Sequence, residues 1–169
     1  MSETCDVAHG TAPADPGLRT LVAVFASPVS RYLLKFAKDL GYHVALFEPD
    51  AARGTDVPEG FEAETTLPPL DASADVIVTD HHRPELGPVL KAALEGEPRW
   101  VGVLGNPRHP GPHVAALRGL GVTEDAIARV HRPVGLNIGS RTPPEIALAT
   151  LAGLLADRNN RPGGFDFTT

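Results

Sequence analysis

Two apolar runs bracketing one helical stretch constrain this chain more than any other feature. The first is Leu21, Val22, Ala23, Val24 and Phe25; the second is Val44, Ala45, Leu46 and Phe47, entered through His43. Neither alternates polar with apolar residues, so each predicts a strand buried on both faces. Between them Val29, Leu33, Phe36, Ala37 and Leu40 recur at helical spacing. Ser27 and Pro28 supply an N-cap and a first-turn proline, and Gly41 stands where a helix C-cap belongs. Strand, helix and strand make a βαβ unit, which requires parallel strands and a right-handed crossover.

The alternation continues along the chain. Residues 51–73 are rich in Pro, Gly and acid and predict a loop, with a short strand near 62–67. Strands follow at 75–79 and 100–104, separated by a helix over 84–94 that contains Gly87 and Pro88. A proline-rich loop over 106–112 leads to a helix over 113–120, closed by Gly121, and a short helix from Thr123 to about Val130. Thr142, Pro143, Pro144 and Glu145 form a capping box with proline at the first helical position, opening the longest helix, 143–158. The whole predicts an α/β fold with a doubly wound, mostly parallel sheet in three layers. One domain is expected over 18–158, between an unstructured tail at 1–17 and a flexible tail at 159–169.

Bulk properties exclude several functions. A formal net charge of −6 argues against nucleic-acid binding and against attachment to a membrane surface. No apolar run approaches the roughly 20 residues of a membrane span. The opening residues, 1–16, are acidic and polar, unlike a secretory leader. Cys5 is the single cysteine, so no intrachain disulfide forms and a reducing cytoplasm is expected.

Candidate site residues cluster where strands end, because α/β ligands bind at the carboxyl edge of the sheet. Asp80, His81 and His82 follow the third long strand. Three such residues in a row suggest a metal or a proton relay, but neighbouring side chains in extended chain point opposite ways, and no metal is assigned. The turn at 26–30 reads either as a modified phosphate cradle or as a plain strand-to-helix turn. Glu48, ending the second strand, reads either as a ribose-binding acid or as an exposed carboxylate. His109 and His113 read as two exposed histidines, since Pro110 and Pro112 keep them off a shared helix face. Near His131, Gly135 and Gly139 imply close backbone approach to a ligand or to a packed helix. Arg141 reads either as a bidentate partner for phosphate or a pterin carbonyl, or as a surface arginine at a helix start.

The segment from His131 to Ala147 carries a family resemblance. His131-Arg132-Pro133-Val134-Gly135-Leu136-Asn137-Ile138-Gly139-Ser140, running into Thr142-Pro143-Pro144-Glu145-Ile146-Ala147, resembles the C-terminal motif of XdhC/CoxI proteins, the accessory proteins of molybdenum-cofactor enzymes. Trp100-Val101-Gly102-Val103-Leu104-Gly105 is similar to a second family segment, and Thr79-Asp80-His81-His82 to a third, with His81 on the family histidine. The resemblance spans about residues 18–158; the family's separate N-terminal domain has no counterpart in it. It implies a Rossmann-like fold and a homodimer. It further implies a role in binding molybdopterin, as the molybdenum cofactor, and passing it to molybdenum hydroxylase subunits of the xanthine or carbon monoxide dehydrogenase type. On that reading the cofactor-binding residues are Ala26, Ser27, Glu48, Asp80, His81, Gly105, Gly135, Asn137, Gly139 and Arg141. No catalytic residue is assigned.

One departure stands out. Where family members carry Gly-Ala-Gly after the first strand, this chain has Phe25, Ala26 and Ser27. The glycines permit a tight turn and let a pyrophosphate reach the backbone, and Pro28 removes a further amide donor. Two other readings therefore stay open: a small NAD(P)-linked oxidoreductase, for which no Tyr-x-x-x-Lys pair is present, and a degenerate domain acting only in association.

Overall fold

The computed structural model describes residues 3–10 and 17–164. Within the expected N-terminal tail, Glu3–Ala8 form a short helix, α1, which corrects the expectation of no structure there; residues 1–2 and 11–16 lie outside the described residues. The fold proper runs β1 (Thr20–Val24), α2 (Pro28–Asp39), β2 (His43–Phe47), a 3-10 turn (Ala51–Asp56), β3 (Ala63–Glu64) and β4 (Ala74–Val78). It continues through α3 (Leu86–Glu95), β5 (Trp100–Val103), α4 (Pro112–Gly119), α5 (Glu124–Ile127), β6 (Val130–His131) and α6 (Pro143–Arg158). The six strands form one all-parallel sheet in the order β3-β2-β1-β4-β5-β6. That is the doubly wound Rossmann order, whose direction reverses between β1 and β4.

Side-chain alternation assigns the two faces. Val22, Val24, Val76, Val78, Val101 and Val103 point to the layer of α3, α4 and α5. Leu21 and Ile77 point the other way, onto Leu33 and Ala37 of α2 and Ala147, Leu151 and Leu154 of α6. Helices on both faces explain why β1 and β4 read as continuous apolar runs. In α3, Pro88 stands in the first turn, where its missing N–H has no intrahelical partner to lose. Gly87 faces α4 so closely that a Cβ there would lie 3.2 Å from Ala116 and Leu120.

The amino edge is locked by charge. Asp75, fully buried on β4, accepts Arg99 Nε at 2.7 Å and Arg158 Nε at 2.9 Å, tying β5 and the end of α6 to the sheet. Beyond α6, the expected flexible tail is described as far as Gly164, and Arg161 N–H bonds Ala156 O at 2.8 Å. No helix among the described residues is long and apolar enough to cross a membrane.

Candidate functional site

At the β1–β4 reversal a cleft of about 730 Å³ opens at the carboxyl edge. Such a volume lies within the roughly 300–1,000 Å³ of ligand pockets. Its walls come from the β1–α2 turn, Asp80 after β4, the segment of Val57 to Glu59, and Pro143 and Pro144 opening α6.

The β1–α2 turn is built without its glycine. Phe25 adopts φ +72°, a left-handed conformation that a bulky side chain rarely takes. The backbone cost is about 1–2 kcal/mol. It is offset by complete burial of the ring, a gain of about 2–3 kcal/mol. The Arg83 guanidinium adds to this, with its carbon 4.4 Å from the ring centroid.

Three of the turn's backbone donors are then consumed by the chain itself. Ala26 N–H donates to Glu48 Oε2 at 2.9 Å, and Ser27 N–H to Ser30 Oγ at 2.9 Å. Pro28 has no N–H, and Ser30 N–H donates to Ser27 Oγ at 3.0 Å. Ser27 Oγ in turn donates to Thr79 Oγ1 at 2.9 Å, fastening the turn to β4. This reciprocal cap satisfies the Ser27 and Ser30 N–H groups without any anion.

Glu48 is neither a ribose-facing acid nor an exposed one: it is 1% accessible. Arg83 grips it with two parallel bonds, Nη1 to Oε2 at 3.0 Å and Nη2 to Oε1 at 2.8 Å, and Asp50 N–H adds a bond at 3.1 Å. Burial opposes the charge, but the guanidinium and two backbone N–H groups hold the carboxyl below its ordinary range. Arg83 is itself 5% exposed and also reaches Glu85. No sequence motif marked it.

The remaining expected residues fall into separate places. Asp80 reaches the cleft, with one carboxylate oxygen accepting His82 N–H at 2.9 Å. His81 is half-buried, its ring 4.0 Å from that of His82; burial, then the neighbouring His82 charge, depresses its pKa. Gly105 is held against Arg132: a Cβ there would lie 2.5 Å from the guanidinium. Arg132 donates to His109 O at 2.7 Å and Asn106 O at 3.1 Å, stapling the loop after β5. His109 is exposed as expected, but His113 is 6% exposed, its ring packed over Gly111; Pro112 starts α4 and turns that side chain inward. Asn137, Gly139 and Arg141 lie on an exposed loop, and Arg141 contributes its backbone N–H to Glu145 at 2.8 Å. Among the described residues, no group of three His, Cys, Asp or Glu is placed to hold a metal ion.

Gly135 answers the open question of what its backbone approaches. It packs on α6, where a Cβ would lie 2.9 Å from the Ala149 carbonyl carbon and the Thr150 nitrogen, at φ +89°. Gly139 has φ +69° with nothing within 4 Å of a built Cβ. Gly135→Ala should therefore destabilise by roughly 2–4 kcal/mol, combining left-handed strain with overpacking, and Gly139→Ala by only about 1 kcal/mol. Urea unfolding of the two variants checks this; equal losses would remove the helix contact as the cause.

A family model described as the XdhC Rossmann domain matches residues 21–154. This chain belongs to that family. The XdhC Rossmann domain is 36% identical over 169 aligned residues to the uncharacterized protein YqeB of Escherichia coli K12, covering 92% of this chain and 29% of YqeB. It superposes with a TM-score of 0.67 on a Bacillus halodurans crystal structure described as a xanthine dehydrogenase, 22% identical, covering 85% of this chain and 45% of that one. The chain thus spans under a third of YqeB and under half of the Bacillus protein. At 22% identity the second likeness shows the Rossmann fold alone.

Proposed function

We propose that this XdhC Rossmann domain is an accessory or maturation module that binds molybdenum cofactor and helps deliver it to a molybdenum hydroxylase of the xanthine or carbon monoxide dehydrogenase type. The observation that carries the proposal is the cleft itself. It keeps the ligand position of a Rossmann fold while the grip that serves dinucleotides is closed by the chain's own side chains. The cofactor class in this proposal comes from the resemblance of the segment from His131 to Ala147 to the XdhC/CoxI motif. The residues suit a pterin: proline rings form flat apolar walls, Asp80 and Glu59 offer acceptors, and Arg31 offers a cation. When bound, the cofactor supplies molybdenum and its dithiolene ligands; the chain orients the ring and shields it.

The proposal includes hydroxylase subunits as partners and a homodimer. Leu148 and Ile138 are 57% and 53% exposed, apolar surface of the kind that a partner covers.

The test is anaerobic purification of the tagged protein from cells making a molybdenum hydroxylase. Molybdopterin and hydroxylase subunits are expected to be retained above the level of an unrelated Rossmann protein. Retention of neither sinks the proposal.

A further inference from the structure

The polar groups of the cleft are unequally available. Ser27 spends its N–H on Ser30 Oγ, and its hydroxyl bonds both Ser30 N–H and Thr79. Asp80 is different. It is half-buried, commits one oxygen to the His82 N–H, and has no other hydrogen bond among the described residues. A carboxylate in that state is an acceptor for a pair of N–H groups. Arg31 lines the same cleft, is exposed, and makes no ion pair among the described residues; its guanidinium lies 5.9 Å from the Tyr32 ring.

With Glu59 and Asp80 negative and Arg31 positive, the cleft carries one excess negative charge. That balance disfavours a diphosphate. It favours a neutral ring rich in N–H donors with at most one phosphate.

We propose that Asp80 is the specificity-determining residue of the cleft, accepting the amine and ring N–H of a 2-amino-4-oxo-pyrimidine edge, and that Arg31 receives a single phosphate at the rim. This rests on the cofactor-handling reading above and assigns the ring to a pterin. Guanine presents the same edge, so the test must separate the two sources. Asp80→Asn keeps the acceptor oxygen that fixes the His82 turn but replaces the other oxygen with a donor, opposing two N–H groups.

The experiment titrates the full chain with 6-hydroxymethylpterin and with its monophosphate, following pterin fluorescence. GMP forms the second arm, and thermal unfolding checks that each variant is folded. The wild type is expected to bind the pterin monophosphate more tightly than GMP. D80N should weaken both pterins at least tenfold. Arg31→Gln should weaken the monophosphate several-fold and leave the dephosphorylated pterin unchanged.

D80N binding within twofold of wild type overturns the assignment, as does an absence of wild-type binding up to millimolar pterin. GMP binding as tightly as the pterin overturns the pterin source. Where such a failure accompanies retention of cofactor and hydroxylase in the pull-down, the function stands and the Asp80 site falls. Where the pull-down is also empty, both fall.

Discussion

Arg83→Met is expected to destabilise the domain by roughly 3–5 kcal/mol, the typical cost of removing one partner of a buried ion pair. The variant leaves the Glu48 carboxylate sealed in the fold at 1% accessibility with no cation. It also strips the guanidinium from the face of Phe25, which holds a left-handed backbone. Replacing both partners, Glu48→Met with Arg83→Met, should recover part of the loss because no buried charge remains. Recovery stays incomplete, since the N–H groups of Ala26 and Asp50 then lack their acceptor.

The sign of the pH dependence provides a second readout. Glu48 has a folded pKa below its unfolded value, so its contribution is present above the unfolded pKa and is lost as pH falls through the folded one. In the Arg83→Met protein burial is opposed only by the N–H groups of Ala26 and Asp50, so the pKa rises relative to the wild type and protonation relieves the buried charge. The stability gap between the two proteins should narrow as pH falls from 7 toward about 4. Chemical unfolding at both pH values measures it. A loss below about 1 kcal/mol at pH 7 would mean that the pair is dispensable.

The second large effect is a discrimination. NAD(H) and NADP(H) are expected to show no saturable binding below about 1 mM, weaker than roughly −4 kcal/mol. A dinucleotide needs backbone donors for its pyrophosphate and an acid for its ribose. Here the Ala26, Ser27 and Ser30 N–H groups are bonded internally, Pro28 has none, and Glu48 is occupied by Arg83. Binding would break these bonds and expose a buried ion pair. Calorimetric titration decides the matter: a micromolar dissociation constant would reinstate the oxidoreductase reading and show that the turn opens readily.

The replacement of the glycines is legible in the sequence, but its consequence is not. Phe25, Ala26 and Ser27 announce an altered turn. They do not reveal that a carboxylate 22 residues away accepts the Ala26 N–H, or that an arginine 35 residues beyond Glu48 neutralises it. Likewise the motif beginning at His131 marks family, yet its parts serve different ends. His131 stacks on Trp100 with ring centroids 4.7 Å apart, Arg132 staples the loop after β5, and Gly135 seats α6. The strand β6 is two residues long, too short for any periodic signal, and appears only as pairing with β5.

What the sequence determined by itself is local. Buried strands, the Ser27 and Thr142 caps, and the helix from Pro143 to Arg158 are each written within about a dozen residues, because burial period and capping act over that range. The tertiary structure decided the rest. Strand order places Glu48 beside the β1–α2 turn and the segment after β4, so the acid that ends β2 meets Arg83 rather than a ribose. Parallel pairing of β1 with both β2 and β4 sets that register, and one position's shift would turn these side chains to the opposite face.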